Sequence, residues 1–208
     1  MATKQKVKER PILMSAPLVR AILRPVDPKS ETRRVSTFQD EPIAVERFHP
    51  TKIDKDGNEY PGDEIFGVYG DGWHLKCPYG APGERIWVRE SFYNDNPGGE
   101  DLESIYYRAD SMDENWCCQL IPECSCVEVG KPKLTPSIFM PRWASRLTLE
   151  VTDIGFERLQ EITDADAIAE GLESLDEFKS IWQKINGKDS WDENPWVWVV
   201  KFKRLEST

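Results

Sequence analysis

The sequence predicts an α+β domain: a small curved sheet or barrel of mostly antiparallel strands, flanked by helices. Three observations predict it. Short segments of two-residue alternation dominate the chain, and helical periodicity is confined to a few brief stretches. The order of elements is strand, helix, many short strands, two helices, strand, which is not the regular strand–helix repeat of a doubly wound sheet. With 208 residues, 39% of them hydrophobic and 11% aromatic, the chain has the apolar area for one folded core. The expected division is a basic tail at residues 1–10 and a single domain at 11–205.

Each element has a local reason. Ile12-Leu13-Met14 reads as a short buried strand. Ser15 and Pro17 then open a helix whose Leu18, Val19, Ile22 and Leu23 share one face, and Pro25 and Pro28 close it. From Lys29 to about Gly83 the turn signals Asp56-Gly57-Asn58, Pro61-Gly62-Asp63 and Asp71-Gly72 divide the chain into loops and short strands, with a hairpin or two. Lys29 to Arg34 falls in a polar loop on this reading. After the Pro82-Gly83 turn, Arg85 to Phe92 is rich in strand formers, Ile105 to Arg108 is its partner, and Trp87 belongs to an inner strand.

A Cys-rich inserted loop is expected at about 109–136, where periodicity dissolves. Leu147, Leu149 and Val151 then alternate with polar residues as a half-buried strand. Thr163-Asp164-Ala165-Asp166 is an N-cap signature for a short helix that Gly171 ends. Leu175, Phe178, Ile181, Trp182 and Ile185 form one face of a second helix, with Gly187 just beyond. The last strand, Pro195 to Leu205, is apolar on both faces at its start and alternates at its end, so only its first half should be covered twice.

Charge narrows the functions. With 27 Lys and Arg against 37 Asp and Glu the net charge is −10, which disfavours coating nucleic acid by bulk charge. Residues 1–35 nevertheless hold nine Lys and Arg against three Asp and Glu, enough for a basic rim around a pocket. No run approaches the roughly 18 apolar residues of a membrane span, so no membrane partner is expected. Five Cys, four of them between Cys117 and Cys126, do not form a secreted disulfide framework, and a reducing, cytoplasmic setting is the expectation. Cys117, Cys118, Cys124 and Cys126 could hold zinc as thiolates, but the spacing lacks Cys-x-x-Cys, and no metal or cofactor is assigned.

Five segments together carry a resemblance: Pro11 to Pro17, Lys29-Ser30-Glu31-Thr32-Arg33-Arg34, Cys77-Pro78-Tyr79-Gly80 through Trp87-Val88-Arg89-Glu90, Met140-Pro141-Arg142-Trp143-Ala144-Ser145-Arg146, and Asn194 to Val199. The chain resembles the ASCH domains of the PUA-like superfamily, especially a longer form found in bacteriophage and prophage genomes. The resemblance implies a PUA-like pseudo-barrel with a cleft near the first helix that handles RNA, nucleosides or modified bases. For a phage-encoded protein the setting would be the host cytoplasm.

Short members of that family include amidohydrolases of N4-acetylcytidine, which use a Lys, a Thr three residues later and a Glu on a later helix. Lys29 and Thr32 match the spacing, Glu170 matches the helix position, and Arg34 also fits the pattern. Asp27-Pro28 stands where family members usually carry Gly-Arg. By this resemblance Thr32 is the nucleophile, Lys29 the general base and Glu170 the proton donor. An unperturbed Lys, with a pKa of about 10.4, is protonated at neutral pH, so burial or a neighbouring Arg must lower it before it can act as a base. Arg33 and Arg34 are candidate phosphate or substrate contacts, and Tyr79, Arg142 and Trp143 candidate base contacts. Two functions of different class remain open: hydrolysis of an N4-acylated cytosine base, nucleoside or nucleotide, and non-catalytic reading of RNA or modified bases. Ribonuclease activity is a third.

Overall fold

The computed structural model describes residues 7–94, 100–110 and 134–206. The Cys117, Cys118, Cys124 and Cys126 cluster lies outside them. Mixed α and β structure is observed, with strands in the majority and mostly antiparallel pairing. The main sheet has five strands. It is built from β1 (Glu9–Leu13), β2 (Glu31–Val35), β8 (Arg85–Arg89), β11 (Thr148–Arg158) and β12 (Trp196–Leu205), in the order β1-β8-β11-β12-β2. Only β1 and β8 run parallel. Helix α1 (Ala16–Leu23) crosses between the two edge strands.

Between β2 and β8 lie β3 (Ala44–Phe48), β4 (Thr51–Ile53), β5 (Glu59–Pro61), β6 (Ile65–Gly70) and β7 (Trp73–Lys76). They form a three-stranded sheet β3-β6-β7 and the hairpin β4-β5, where the turn signals predicted short strands. β9 (Phe92–Asn94) pairs with β10 (Ile105–Tyr107). Two helices, α2 (Asp164–Ala169) and α3 (Leu175–Asn186), precede β12 at their expected places.

The inner face of the main sheet carries Ile86, Val88, Leu149, Val151, Trp198, Val200 and Phe202, which pack with Val19 and Ile22 of α1 and Val68 of β6. Val197 and Val199 point to the other face, where α3 lays Phe178 and Trp182 on them. This second layer is why β12 is apolar on both sides at its start. Beyond it Lys201 and Lys203 are exposed. No strand of the described residues closes the sheet into a barrel; β1 and β2 remain edges. Their ends are joined by a side chain, since the Arg34 guanidinium of β2 donates to the Leu13 carbonyl of β1 at 2.6 Å.

Two sequence expectations need correction. Glu31 to Arg34 is a strand, not a loop: its buried residues include Glu31 and Arg33, which ion pairs satisfy, so it shows no apolar alternation. Trp87 is on an inner strand of the sheet, as expected, β8 lying between β1 and β11. It lies on the outer face of β8, half-buried, with the Arg89 and Arg142 guanidinium carbons 5.4 and 5.8 Å from its ring centroid. β1 begins at Glu9, inside the expected tail. No helix among the described residues is long and apolar enough to cross a membrane.

Just past β8, Glu90 is 2% exposed and receives Nε and Nη2 of Arg146 at 2.9 and 3.1 Å. Burial pushes its carboxyl pKa above the usual 4.5, and Arg146 offsets this only in part. Folded Glu90 therefore holds a proton that the unfolded chain has released as pH rises past 4.5, and stability falls across that window. Urea unfolding followed against pH should show this decline, and Glu90→Gln should flatten it. An unchanged profile in Glu90→Gln would contradict the assignment.

Candidate active site at the edge of the main sheet

The site begins with how two distant segments are pinned together. After α1 the Lys29 N–H donates to the Ala21 carbonyl at 3.0 Å, and the Ser30 N–H to the Ala169 carbonyl at 2.9 Å. α2 is started by Thr163, whose hydroxyl accepts from the Asp166 N–H while the Asp166 carboxylate accepts from the Thr163 N–H. It is stopped by Gly171, in the left-handed region at φ +86°. A Cβ there would stand 2.6 Å from the Ala21 Cβ and 3.1 Å from the Lys29 Cβ, so only glycine permits so close an approach. Glu170, the residue before it, is delivered onto β2.

Lys29 and Glu170 form a buried pair, with side-chain exposures of 0% and 6%. The Lys29 ammonium donates to Glu170 Oε2 and to the Glu170 backbone carbonyl, the latter at 2.8 Å. Glu170 Oε1 accepts the Arg33 backbone N–H at 2.5 Å. The Arg33 guanidinium is saturated by carboxylates: it pairs with Glu31, with Glu157 at 2.8 Å and with Asp166 at 3.4 Å. Burial pushes the Lys29 pKa below its ordinary value, against the opposing pull of the Glu170 charge, and the nearby Arg34 charge adds to the lowering. Burial raises the Glu31 carboxyl, with Arg33 opposing.

A pocket of about 180 Å³ opens beside this pair. Thr32, Arg33, Arg34 and Glu170 form its polar end, and Tyr79 and Leu18 one side. Ile181, Trp182 and Ile185 of α3 form the other. Thr32 is 2% exposed, and its hydroxyl makes no hydrogen bond among the described residues. Arg34 bonds only to the Leu13 carbonyl and the Met14 sulfur, so no carboxylate among the described residues neutralises it. Trp182 is 6% exposed and its buried indole N–H has no hydrogen-bond partner among the described residues. Such a donor is expensive to bury. Burial raises the Tyr79 phenol pKa, with Arg34 opposing.

Lys29, Thr32, Arg33, Arg34, Tyr79 and Glu170 thus meet at one place. Lys29 reaches Glu170 from behind the pocket wall, where its stem lines a separate hollow with Ile22 and Pro28. Arg142 and Trp143 lie elsewhere. Arg142 is held by Glu9 at 2.8 Å and the Thr148 hydroxyl at 3.0 Å, and Trp143 packs on the cluster of Phe92, Ile105, Met140 and Ala144. The contribution of α3 escaped sequence reasoning, because Ile181, Trp182 and Ile185 have the spacing of a core face. Ile185, 62% exposed, shows that this face is wider than the core needs. Among the described residues no group of three or more His, Cys, Asp or Glu is placed to hold a metal ion.

In chemical terms the pocket offers a hydroxyl, a guanidinium that no carboxylate among the described residues compensates, and on its wall a buried amine–carboxylate pair. Comparisons of the chain with protein-family models, with curated proteins and with solved structures find no match.

Removing one partner of a buried pair strands the other charge. Lys29→Met and Glu170→Leu should therefore each destabilise by about 3–5 kcal/mol, and the double variant by clearly less than their sum. Denaturant titration of the four proteins measures this, and strict additivity would mean the two groups are not coupled.

Proposed function

We propose that the protein is an amidohydrolase that removes the acyl group from an N4-acylated cytosine base, nucleoside or nucleotide, on a PUA-like fold. The observation that carries the reading is that Glu170, 141 residues from Lys29, is buried against its amine and shares a pocket wall with the unbonded Thr32 hydroxyl. The mostly antiparallel main sheet, with α1 packed on its inner face, supports the PUA-like part.

In this reading the lowered Lys29 pKa makes a neutral amine accessible, and moving the proton onto Glu170 turns an ion pair into an amine and a carboxylic acid. Both catalytic states then exist together. The amine accepts the Thr32 proton as the hydroxyl attacks the acyl carbon, and the acid protonates the departing N4 amine. Water next attacks the Thr32 ester, releasing the carboxylic acid and restoring the hydroxyl. Arg34 holds acceptor atoms of the ligand.

One observation favours a second reading. The Lys29–Glu170 pair is closed and Arg34 alone faces the pocket as an uncompensated cation, which suits a non-catalytic reader that holds phosphate and base without chemistry.

Incubation with N4-acetylcytidine, followed by the ultraviolet change to cytidine, separates the two. Turnover should be lost in Thr32→Ala, survive in part in Thr32→Ser, and be lost in Lys29→Arg because a guanidinium stays protonated. The enzymatic assignment fails if both Lys29→Arg and Thr32→Ala retain hydrolysis. Binding without hydrolysis in the unaltered protein would establish the reader.

A further inference from the structure

Glu170 has two oxygens, and they face different charges. Oε2 takes the Lys29 ammonium, while Oε1 stands 3.8 Å from Nη1 of the Arg33 guanidinium. Arg33 is buried, so its charge is weakly screened at Glu170. Left alone it would hold Glu170 as a carboxylate and keep the proton on Lys29. It is not left alone. Three further carboxylates close on the same guanidinium: Glu31 from β2 itself, Glu157 of β11, which accepts from Nε at 3.2 Å and from Nη2 at 2.8 Å, and Asp166 of α2 at 3.4 Å. Each stands nearer to Arg33 than Glu170 does.

Other charged groups near the pair are few. The Lys201 ammonium of β12 reaches Glu31 at 3.6 Å, and Arg34 acts on Lys29 from the pocket side. Tyr79 borders the pocket with a phenol that burial keeps protonated, and α3 brings no charged side chain to the pocket wall. The balance is therefore set below α2, where Glu31, Glu157 and Asp166 stand against Arg33 and Lys201. Their structural duties differ. Glu31 is buried, and Asp166 is needed to start α2. The Glu157 carboxylate is half-buried and, among the described residues, bonds only to Arg33.

We propose that Glu157 is a positioning residue of the hydrolase, whose charge, acting through Arg33, draws the shared proton from Lys29 to Glu170; this role rests on the amidohydrolase reading above. The step exchanges one N–H bond for one O–H bond. The Lys29 amine regains its lone pair, Glu170 becomes the neutral acid, and nothing else is gained or lost. Because the proton moves away from the amine and toward Arg33, the guanidinium field opposes the transfer and every carboxylate that cancels this field assists it. Glu31 and Asp166 act in the same sense, but Glu157 is the group whose charge can be removed without disturbing a helix cap or a buried side chain.

An isosteric change tests this. Glu157→Gln keeps an oxygen to accept from Arg33 and removes the charge, and residue 157 does not line the pocket. With N4-acetylcytidine as substrate, kcat should fall about threefold with KM unchanged, and both limbs of kcat against pH should move down by about half a unit, since a more positive surrounding disfavours every protonated form of the pair. Lys201→Gln removes the opposite charge, so both limbs should move up with no loss of kcat. Both shifts should shrink as salt is raised, because both side chains are part exposed. A purely structural role for Glu157 would not give limb movements of opposite sign in the two variants. Nitrogen-15 NMR of the Lys29 amine, assigned by its loss in Lys29→Arg, follows the titration without substrate and should move in the same directions. Limbs and resonance that stay in place in both variants, or that move the same way in both, would overturn the proposal. A protein that leaves N4-acetylcytidine intact while the Lys29 resonance moves as expected would overturn the amidohydrolase reading and leave the charge coupling standing.

Discussion

The contact between the Lys29 amine and the Glu170 carboxylate is the constraint on which the rest of the site depends. Two groups this deeply buried cannot remain charged apart, so the loop after α1 and the end of α2 must arrive together. The backbone is arranged for that meeting. Ser30 is bonded to Ala169, Lys29 to Ala21, and Gly171 is the only residue type that lets the chain turn so close to both. The pair therefore acts as a structural clasp whatever chemistry it performs, and its loss would open the pocket as well as remove a proton carrier.

Glu170 also solves a problem of the sheet. β2 is an edge, and the outward N–H of Arg33 would be an unpaired donor beside the pocket. The carboxylate takes that N–H, while the Arg33 side chain gathers Glu31, Glu157 and Asp166 on the face below α2. A strand whose neighbouring residues are Glu, Thr, Arg and Arg is thereby buried without an apolar face. The price in sequence terms is that it looks like a loop.

The two sides of the main sheet divide the labour. Its inner face is a conventional apolar core closed by α1. Its outer face is covered by α3 near the start of β12, and at β8 Trp87 packs on the cluster of Phe92, Ile105, Met140 and Ala144.

The sequence by itself determined the order of elements, because periodicity, caps and turn residues act over a few neighbours. Thr163 and Asp166 start α2 where their spacing says, Gly171 and Gly187 end the helices, and the apolar run of Trp196 to Val199 announces a strand buried on both faces. The meeting of Lys29, Thr32 and Glu170 was legible only through resemblance, since nothing local in residues 29–32 indicates a partner 141 residues away. Tertiary structure alone decided the rest. It made Glu31 to Val35 a strand through ion pairs that pattern analysis reads as polarity, turned part of the apolar face of α3 into a pocket wall, and took Arg142 and Trp143 away from the site. It also set Trp87 on the outer face, because which side of a strand is covered depends on where the helices pack, and that is a property of the assembled sheet.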